Sequence, residues 1–299
     1  MVADAQRLMR IATMASMAVA VTLIGAKTIA WLMTESVSML SSLVDSSLDF
    51  VASLVTFIAV RQALTPADAD HRFGHGKAEA LAGLTQAGFI AASGGGLLLT
   101  VGDRLFHPHQ VQRETVGLAI SALAVVITLG LVAFQHYVVR RSGSIAIGAD
   151  KAHYVTDIVT NLAVGAALYL SGRFDQPLID VGVATLVAFY LMHGAWAVGR
   201  GSIDVLMDRE LPEPDRQRIL DIARNHPGVR SVHELRTRSS GLTKFIQLHV
   251  VLEPTMSLGR AHVIGDTIEA AIQDAFPQAE IILHIDPWND AEPRRPADD

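Results

Sequence analysis

Over the first two hundred positions, apolar residues gather in six long stretches separated by short polar segments. They lie at about Leu8–Met33, Ser36–Val60, Ala80–Leu105, Thr115–Val139, Ile145–Leu170 and Pro177–Gly199. Because about 20 residues of apolar helix span the hydrocarbon of a bilayer, the pattern predicts a multi-span α-helical membrane protein with six transmembrane helices. The last third alternates on a shorter period. It predicts a helix at Pro214–Asn225, strands at Val229–Arg238 and Thr243–Leu252, a helix at Arg260–Phe276 and a strand at Glu280–Asp286, which together make a small α/β domain. The expected division is a membrane domain over 1–205, a soluble domain over 206–290 and a disordered tail over 291–299. The first apolar run is too long for a cleavable signal peptide.

Charge follows the same division. Residues 1–200 carry 13 basic and 13 acidic side chains, whereas 201–299 carry 11 and 17, so the net charge of −6 belongs to the last third. Half the chain is hydrophobic, which excludes a disordered protein, and the acidic balance argues against nucleic acid as a partner. Cysteine is absent, so no disulfide, thiolate metal site or thiol nucleophile is available. Arg7, Arg10, Arg61, Arg72, Lys77, Arg140, Arg141 and Arg200 fall on one side of the predicted spans, and Arg104, Arg113 and Arg173 on the other. The richer side is expected in the cytoplasm, together with both termini and the acidic domain.

Two spans are unusual. The second carries Ser38, Ser42, Asp45, Asp49, Ser53 and Thr56 at helical spacing, and the fifth carries Asp150, His153, Asp157 and Thr160 or Asn161. Residues four apart share a helix face, so each set is a polar stripe on an apolar rod. An ionised carboxylate at the bilayer centre costs about 2.5–3.5 kcal/mol on insertion scales, so these groups must face a partner or a wet cavity. Lys27 is the one basic residue expected at comparable depth. Three carboxylates and an imidazole, Asp45, Asp49, Asp157 and His153, suit a divalent cation. Mixed nitrogen and oxygen ligands in fourfold coordination suit zinc. A buried hydrogen-bond network and a metal-free proton relay are the alternatives for the same residue types. In the third span, Gly83, Gly88 and Gly94–Gly96 point to close helix packing.

In the soluble domain, alternation puts Ile246, Leu248, Val250 and Leu252 on one face of a strand and His249 on the other. The same logic puts His284 and Asp286 opposite Ile281, Leu283 and Ile285. The segment between spans two and three, Asp68-Ala69-Asp70-His71-Arg72-Phe73-Gly74-His75-Gly76-Lys77-Ala78-Glu79, sets Asp68, His71 and His75 close enough in sequence to share an ion, with Asp70 as a substitute for Asp68.

The order of spans, Asp45-x-x-x-Asp49, His153-x-x-x-Asp157, this loop and the acidic, histidine-bearing domain together resemble the cation diffusion facilitator family, in its bacterial zinc and ferrous-iron efflux (YiiP-type) branch. The resemblance covers nearly the whole chain. It implies a transport site at Asp45, Asp49, His153 and Asp157, and a loop site at Asp68, His71 and His75. It also implies a cytoplasmic binuclear zinc site at His233, His249, His262, His284 and Asp286, in a domain resembling a metallochaperone, with a ferredoxin-like fold. A pair, Lys77 and Asp208, would tie the two parts at the dimer hinge. The implied activity is proton-coupled export of divalent metal, Zn2+ foremost with Cd2+ or Fe2+ as further substrates and protons as counter-ion. The protein would be a homodimer in the cell inner membrane that alternates its access.

Ligands bind metal only when deprotonated, so competition between metal and protons is expected from chemistry alone. An intramembrane zinc protease would need H-E-x-x-H, which the chain lacks, so no enzyme activity is expected. A metal sensor without transport would account for the soluble domain but not for ionisable groups in the spans.

Overall fold

Six long helices precede a small sheet. In the computed structural model, which describes residues 2–35, 37–106, 115–174, 176 and 178–289, they are α1 (Val2–Thr34), α2 (Val37–Ala63), α3 (Ala78–Phe106), α4 (Thr115–Ser142), α5 (Ile145–Phe174) and α6 (Leu178–Leu206). Arg113, His107, His109 and the expected tail at 291–299 lie outside the described residues, as does the side chain of Ser38. The chain divides into two compact units, Met1–Ile203 and Asp204–Asp299.

Five of the helices, α1, α2, α3, α4 and α6, are long and apolar enough to cross a membrane. The exception is α5, which at 30 residues is equally long. It carries Asp150, Lys151, His153 and Asp157 within its first half, which lowers its hydropathy. Its polar groups are instead screened by neighbours, since α5 packs on α2, α3 and α4.

Local chemistry sets the turn that aims α5. Gly143 at φ +68° closes α4, and its N–H donates to the Val139 carbonyl at 2.8 Å. Ser144 then caps α5, its hydroxyl oxygen accepting from the Ile147 N–H at 3.3 Å. The buried carboxylate of Glu79, at the start of α3, accepts from the Ser144 hydroxyl and from the Ala146 N–H at 3.4 Å. A carboxylate at a helix N-terminus meets both unpaired N–H groups and the positive end of the dipole.

The glycines of α3 divide into two kinds. A Cβ on Gly83 would lie 2.4 Å from the Ser202 hydroxyl, and one on Gly94 would lie 3.2 Å from Leu191 Cβ. Those two positions permit close approach of α6. Gly88, Gly95 and Gly96 have nothing within 4 Å of the same construction, so close packing within the chain does not explain them.

The second unit contains α7 (Glu213–Arg224), β1 (Ser231–Ser240), β2 (Thr243–Leu252), α8 (Leu258–Ala275) and β3 (Ala279–Pro287). The sheet order is β1-β2-β3, antiparallel between the first pair and parallel between the second. The parallel pair requires a crossover, which α8 supplies. One face of the sheet holds Ile246, Leu248, Val250 and Leu252 against Ile219 and Ala223 of α7 and Ile268 and Ile272 of α8. Each fully buried aliphatic side chain contributes about 1.5–3 kcal/mol, which gives this small unit a core of its own. It is the small α/β domain that the alternation predicts, and its α-β-β-α-β order agrees with the ferredoxin-like fold that the resemblance implies.

Candidate metal centres

Three groups of His and carboxylate side chains, among the described residues, bring one ligand atom each to within 4.8 Å of one another. The first joins α2 to α5. Asp49 Oδ1 lies 3.1 Å from His153 Nε2, and Asp157 Oδ2 lies 3.8 Å from the same nitrogen. His153 is buried, with Phe89 and Tyr154 edge-on to its ring at centroid distances of 6.4 and 5.9 Å. Its Nδ1 has no hydrogen-bond partner among the described residues. Packing between two aromatic rings therefore orients the imidazole, in place of the carbonyl or carboxylate that usually holds a ligating histidine.

The expected fourth member, Asp45, is outside this group. It shares a face with Asp49 but sits one turn earlier on α2 and is exposed, whereas the α5 ligands meet α2 at the level of Asp49. Lys27 of α1 reaches the same stretch of α2, donating to Ser46 Oγ at 2.6 Å and to the Ser42 carbonyl at 3.1 Å. The polar face of α2 thus serves two neighbours.

The second group lies in the α2–α3 loop. Asp68 faces both histidines, with Oδ1 at 3.3 Å from His71 Nδ1 and Oδ2 at 3.3 Å from His75 Nε2. The rings of His71 and His75 are 4.6 Å apart. Asp68 Oδ1 also accepts from the backbone N–H groups of His71 at 2.7 Å and Asp70 at 3.0 Å. Those bonds, the His71 N–H foremost, hold the Asp68 carboxyl below the usual carboxylate range. Of the two acidic candidates, the carboxylate of Asp68 is the one grouped with the histidines, and Asp70 gives its N–H to the turn. Gly74 at φ +75° lets the chain double back, and His75 Nδ1 lies 3.4 Å from the Thr65 carbonyl.

The third group crosses the sheet as a row. His233 is paired with His249 in the β1–β2 register, and His249 with His284 in the β2–β3 register. Ring centroids are 5.0 Å and 4.6 Å apart along this row. Asp286, two residues after His284, reaches all three: 2.8 Å to His249 Nδ1, 3.2 Å to His284 Nε2 and 3.6 Å to His233 Nε2. His233, His249 and Asp286 form the compact group, and His284 joins through Asp286. The other expected member, His262, is not brought in. It lies on the exposed side of α8, where its Nε2 stands 3.6 Å from Asp266.

Sequence reasoning passed over two residues here. Glu234, at φ +50° beside a register shift in β1, places Oε2 3.8 Å from His249 Nε2. A glutamate next to a candidate histidine is the signal, but only the bulge turns it toward the row. Asp150 belongs to the α5 stripe yet faces elsewhere, into hydroxyl and amide donors. Of the expected hinge pair, Asp208 stands 3.4 Å from Arg238 within its own unit, and Lys77 precedes α3.

Comparison with known proteins matches each of the two units separately. Residues 13–207 match the family model "Cation efflux transmembrane domain", and residues 211–288 match "Cation efflux protein, cytoplasmic domain". The cation-efflux pump FieF of Shewanella oneidensis is 46% identical over 278 residues, covering 93% of this chain and 94% of that protein. FieF of Klebsiella pneumoniae is 43% identical over 281 residues, covering 94% of this chain and 93% of that protein. A nickel-form structure of the MamM CTD is 25% identical, covers 26% of this chain and 100% of its own, and has a TM-score of 0.25. With both of its parts matched, this chain is a multi-pass membrane protein of the cation efflux, or cation diffusion facilitator, family and belongs with the FieF, YiiP-type proteins.

Proposed function

We propose that the protein exports divalent metal cations in exchange for protons, with zinc as its main cargo and cadmium and ferrous iron as further substrates. The observation that carries this reading is the convergence of Asp49, His153 and Asp157 from two membrane helices. Two half-buried carboxylates around a buried imidazole favour a doubly positive guest, and the imidazole selects zinc or cadmium over magnesium or manganese. Its cation-efflux relatives support the direction of transport.

Exchange follows from ligand chemistry. The imidazole binds metal only when neutral and the carboxylates only when ionised, so each proton taken up lowers affinity for the metal. Protons arriving from an acidic exterior displace the ion there, and the neutral interior reloads the site. The protein works as a homodimer whose protomers alternate their access, in the bacterial inner membrane, with both termini and the second unit in the cytoplasm. Asp45 joins the transport ligands as the helices move, since it lies one turn along the same face as Asp49. Asp68, His71 and His75 hold a second ion. His233, His249, His284 and Asp286, with His262, hold zinc that strengthens the dimer, and Lys77 with Asp208 ties the two units at the hinge. No covalent chemistry is part of this function.

The test is flux in proteoliposomes with an imposed pH gradient across a panel of divalent ions. Zinc entry should drive stoichiometric proton movement, and Asp49→Ala should abolish it while the dimer survives. Normal flux through that variant would refute the transport site.

A further inference from the structure

Among the described residues, two buried carboxylates, Glu79 and Asp150, lie outside the three ligand groups, and Glu79 serves as the cap of α5. Asp150 of α5 is 1% exposed and, among the described residues, has no Lys or Arg partner. Four neutral side chains serve it instead. Oδ2 accepts from the Ser16 hydroxyl of α1 at 2.8 Å and the Gln135 amide of α4 at 2.7 Å. Oδ1 accepts from the Gln86 amide of α3 at 3.3 Å and the Ser53 hydroxyl of α2 at 3.4 Å. An ionised carboxylate only accepts hydrogen bonds, and these donors occupy both oxygens. A metal-ligating role for Asp150 is therefore disfavoured.

We infer that Asp150 is a positioning residue for metal binding, whose carboxylate anchors α5 to α1, α2, α3 and α4 at the depth and rotation that bring His153 and Asp157 to Asp49. The inference rests on the proposed transport site. Its geometric basis is a two-rung ladder between α2 and α5. Asp49 meets His153 on one rung. On the next, Ser53 meets both Asp150 and the Tyr154 hydroxyl, the latter at 2.8 Å. Moving up four residues on α2 corresponds to moving down three on α5, the relation of antiparallel helices in register. Asp150, His153 and Asp157 share one face of α5, so a helix held at Asp150 presents the other two to the same neighbour. Metal ligation tolerates distance errors of only about 0.2 Å. A slip or rotation of α5 would therefore remove two ligands together.

The test compares zinc flux by the full-length protein and by Asp150→Asn in proteoliposomes, with KM and maximal rate measured separately. Asparagine keeps the shape but turns an amide toward Gln135 and Ser16. KM should rise about tenfold or more, the equivalent of losing one hydrogen bond to a charged group, while the maximal rate changes far less. Asp150→Asn combined with Gln135→Glu exchanges donor and acceptor across the 2.7 Å contact and should restore KM. A general packing defect predicts no such rescue. An unchanged KM in folded Asp150→Asn overturns the inference, as does a fall confined to the maximal rate, or a folded double variant without rescue. Should Asp150→Asn not fold, Ser16→Ala and Ser53→Ala each delete one donor. A severalfold rise in KM is expected of each, and unchanged KM in both overturns the inference. Asp49→Ala is run in parallel. If it transports normally, the transport-site reading has failed; if it is inactive while the Asp150 variants are normal, only the positioning role has failed.

Discussion

Asp49 of α2 and His153 of α5 stand 3.1 Å apart although 104 residues of chain separate them. The contact sets the buried imidazole of α5 against the polar face of α2. Asp157 closes the group from the next turn of α5. An ion binding there would be gripped by two helices, so any relative movement of α2 and α5 changes its affinity.

Asp45→Ala is expected to weaken transport less than Asp49→Ala or Asp157→Ala. Asp45 is exposed and outside the ligand group, whereas the other two contact His153. Initial rates of zinc flux through the three variants check the order. An Asp45 variant as damaged as the Asp49 variant would show that Asp45 is a full ligand in the binding state.

Zinc held by the second unit should depend on Asp286 and His249 more than on His262. Asp286 reaches three histidines, while His262 pairs only with Asp266 across one turn of α8. Calorimetry on the second unit, which has its own core, should show reduced zinc stoichiometry for Asp286→Ala and for the joint loss of His249 and His284. His262→Ala should keep most of it. Equal losses in all variants would show that His262 binds as strongly as His249 and overturn this ranking.

The Asp68 carboxyl should carry its charge at pH 7 and at pH 5 alike. Its carboxyl is held below the usual carboxylate range by backbone N–H groups. A depressed value means the charged form is favoured in the folded loop. That advantage is complete above the ordinary value near about 3.9 and fades only as pH falls through the lower, folded value. The Asp68 carboxyl, followed by carbon NMR in the metal-free protein, should therefore stay ionised across that interval. Protonation by pH 5 would contradict this geometry.

Glu79→Ala should destabilise the membrane unit by about 1–3 kcal/mol, the cost of leaving buried donors unpaired. The carboxylate is 2% exposed and caps α5 through Ser144 and Ala146. Thermal unfolding in detergent measures the loss, and Glu79→Gln, which retains an acceptor oxygen, should recover part of it.

Much of this architecture is legible in the chain because its physics is local. Hydrocarbon thickness sets the length of an apolar run, so the helices emerge near their predicted places, although α1 begins at Val2 rather than Leu8 and α6 runs on to Leu206 rather than Gly199. The period of two in β2 and β3 places Ile246, Leu248 and Val250 in the core and His249 with His284 opposite them. Loop spacing keeps Asp68, His71 and His75 within reach of one another, and the turn closed by the Asp68 carboxylate brings them together. What the chain left open is which members of one stripe face which neighbour. Asp150, His153 and Asp157 are equivalent by periodicity, yet the first turns to Ser16, Ser53, Gln86 and Gln135, and the other two to Asp49. Asp45 shares periodicity with Asp49 and lies outside the groups, as does His262, which only the family resemblance offered. Helical spacing defines a face but not the depth at which another helix crosses it. Only the packing of α1–α5, with every buried carboxylate finding its donors, decides that depth.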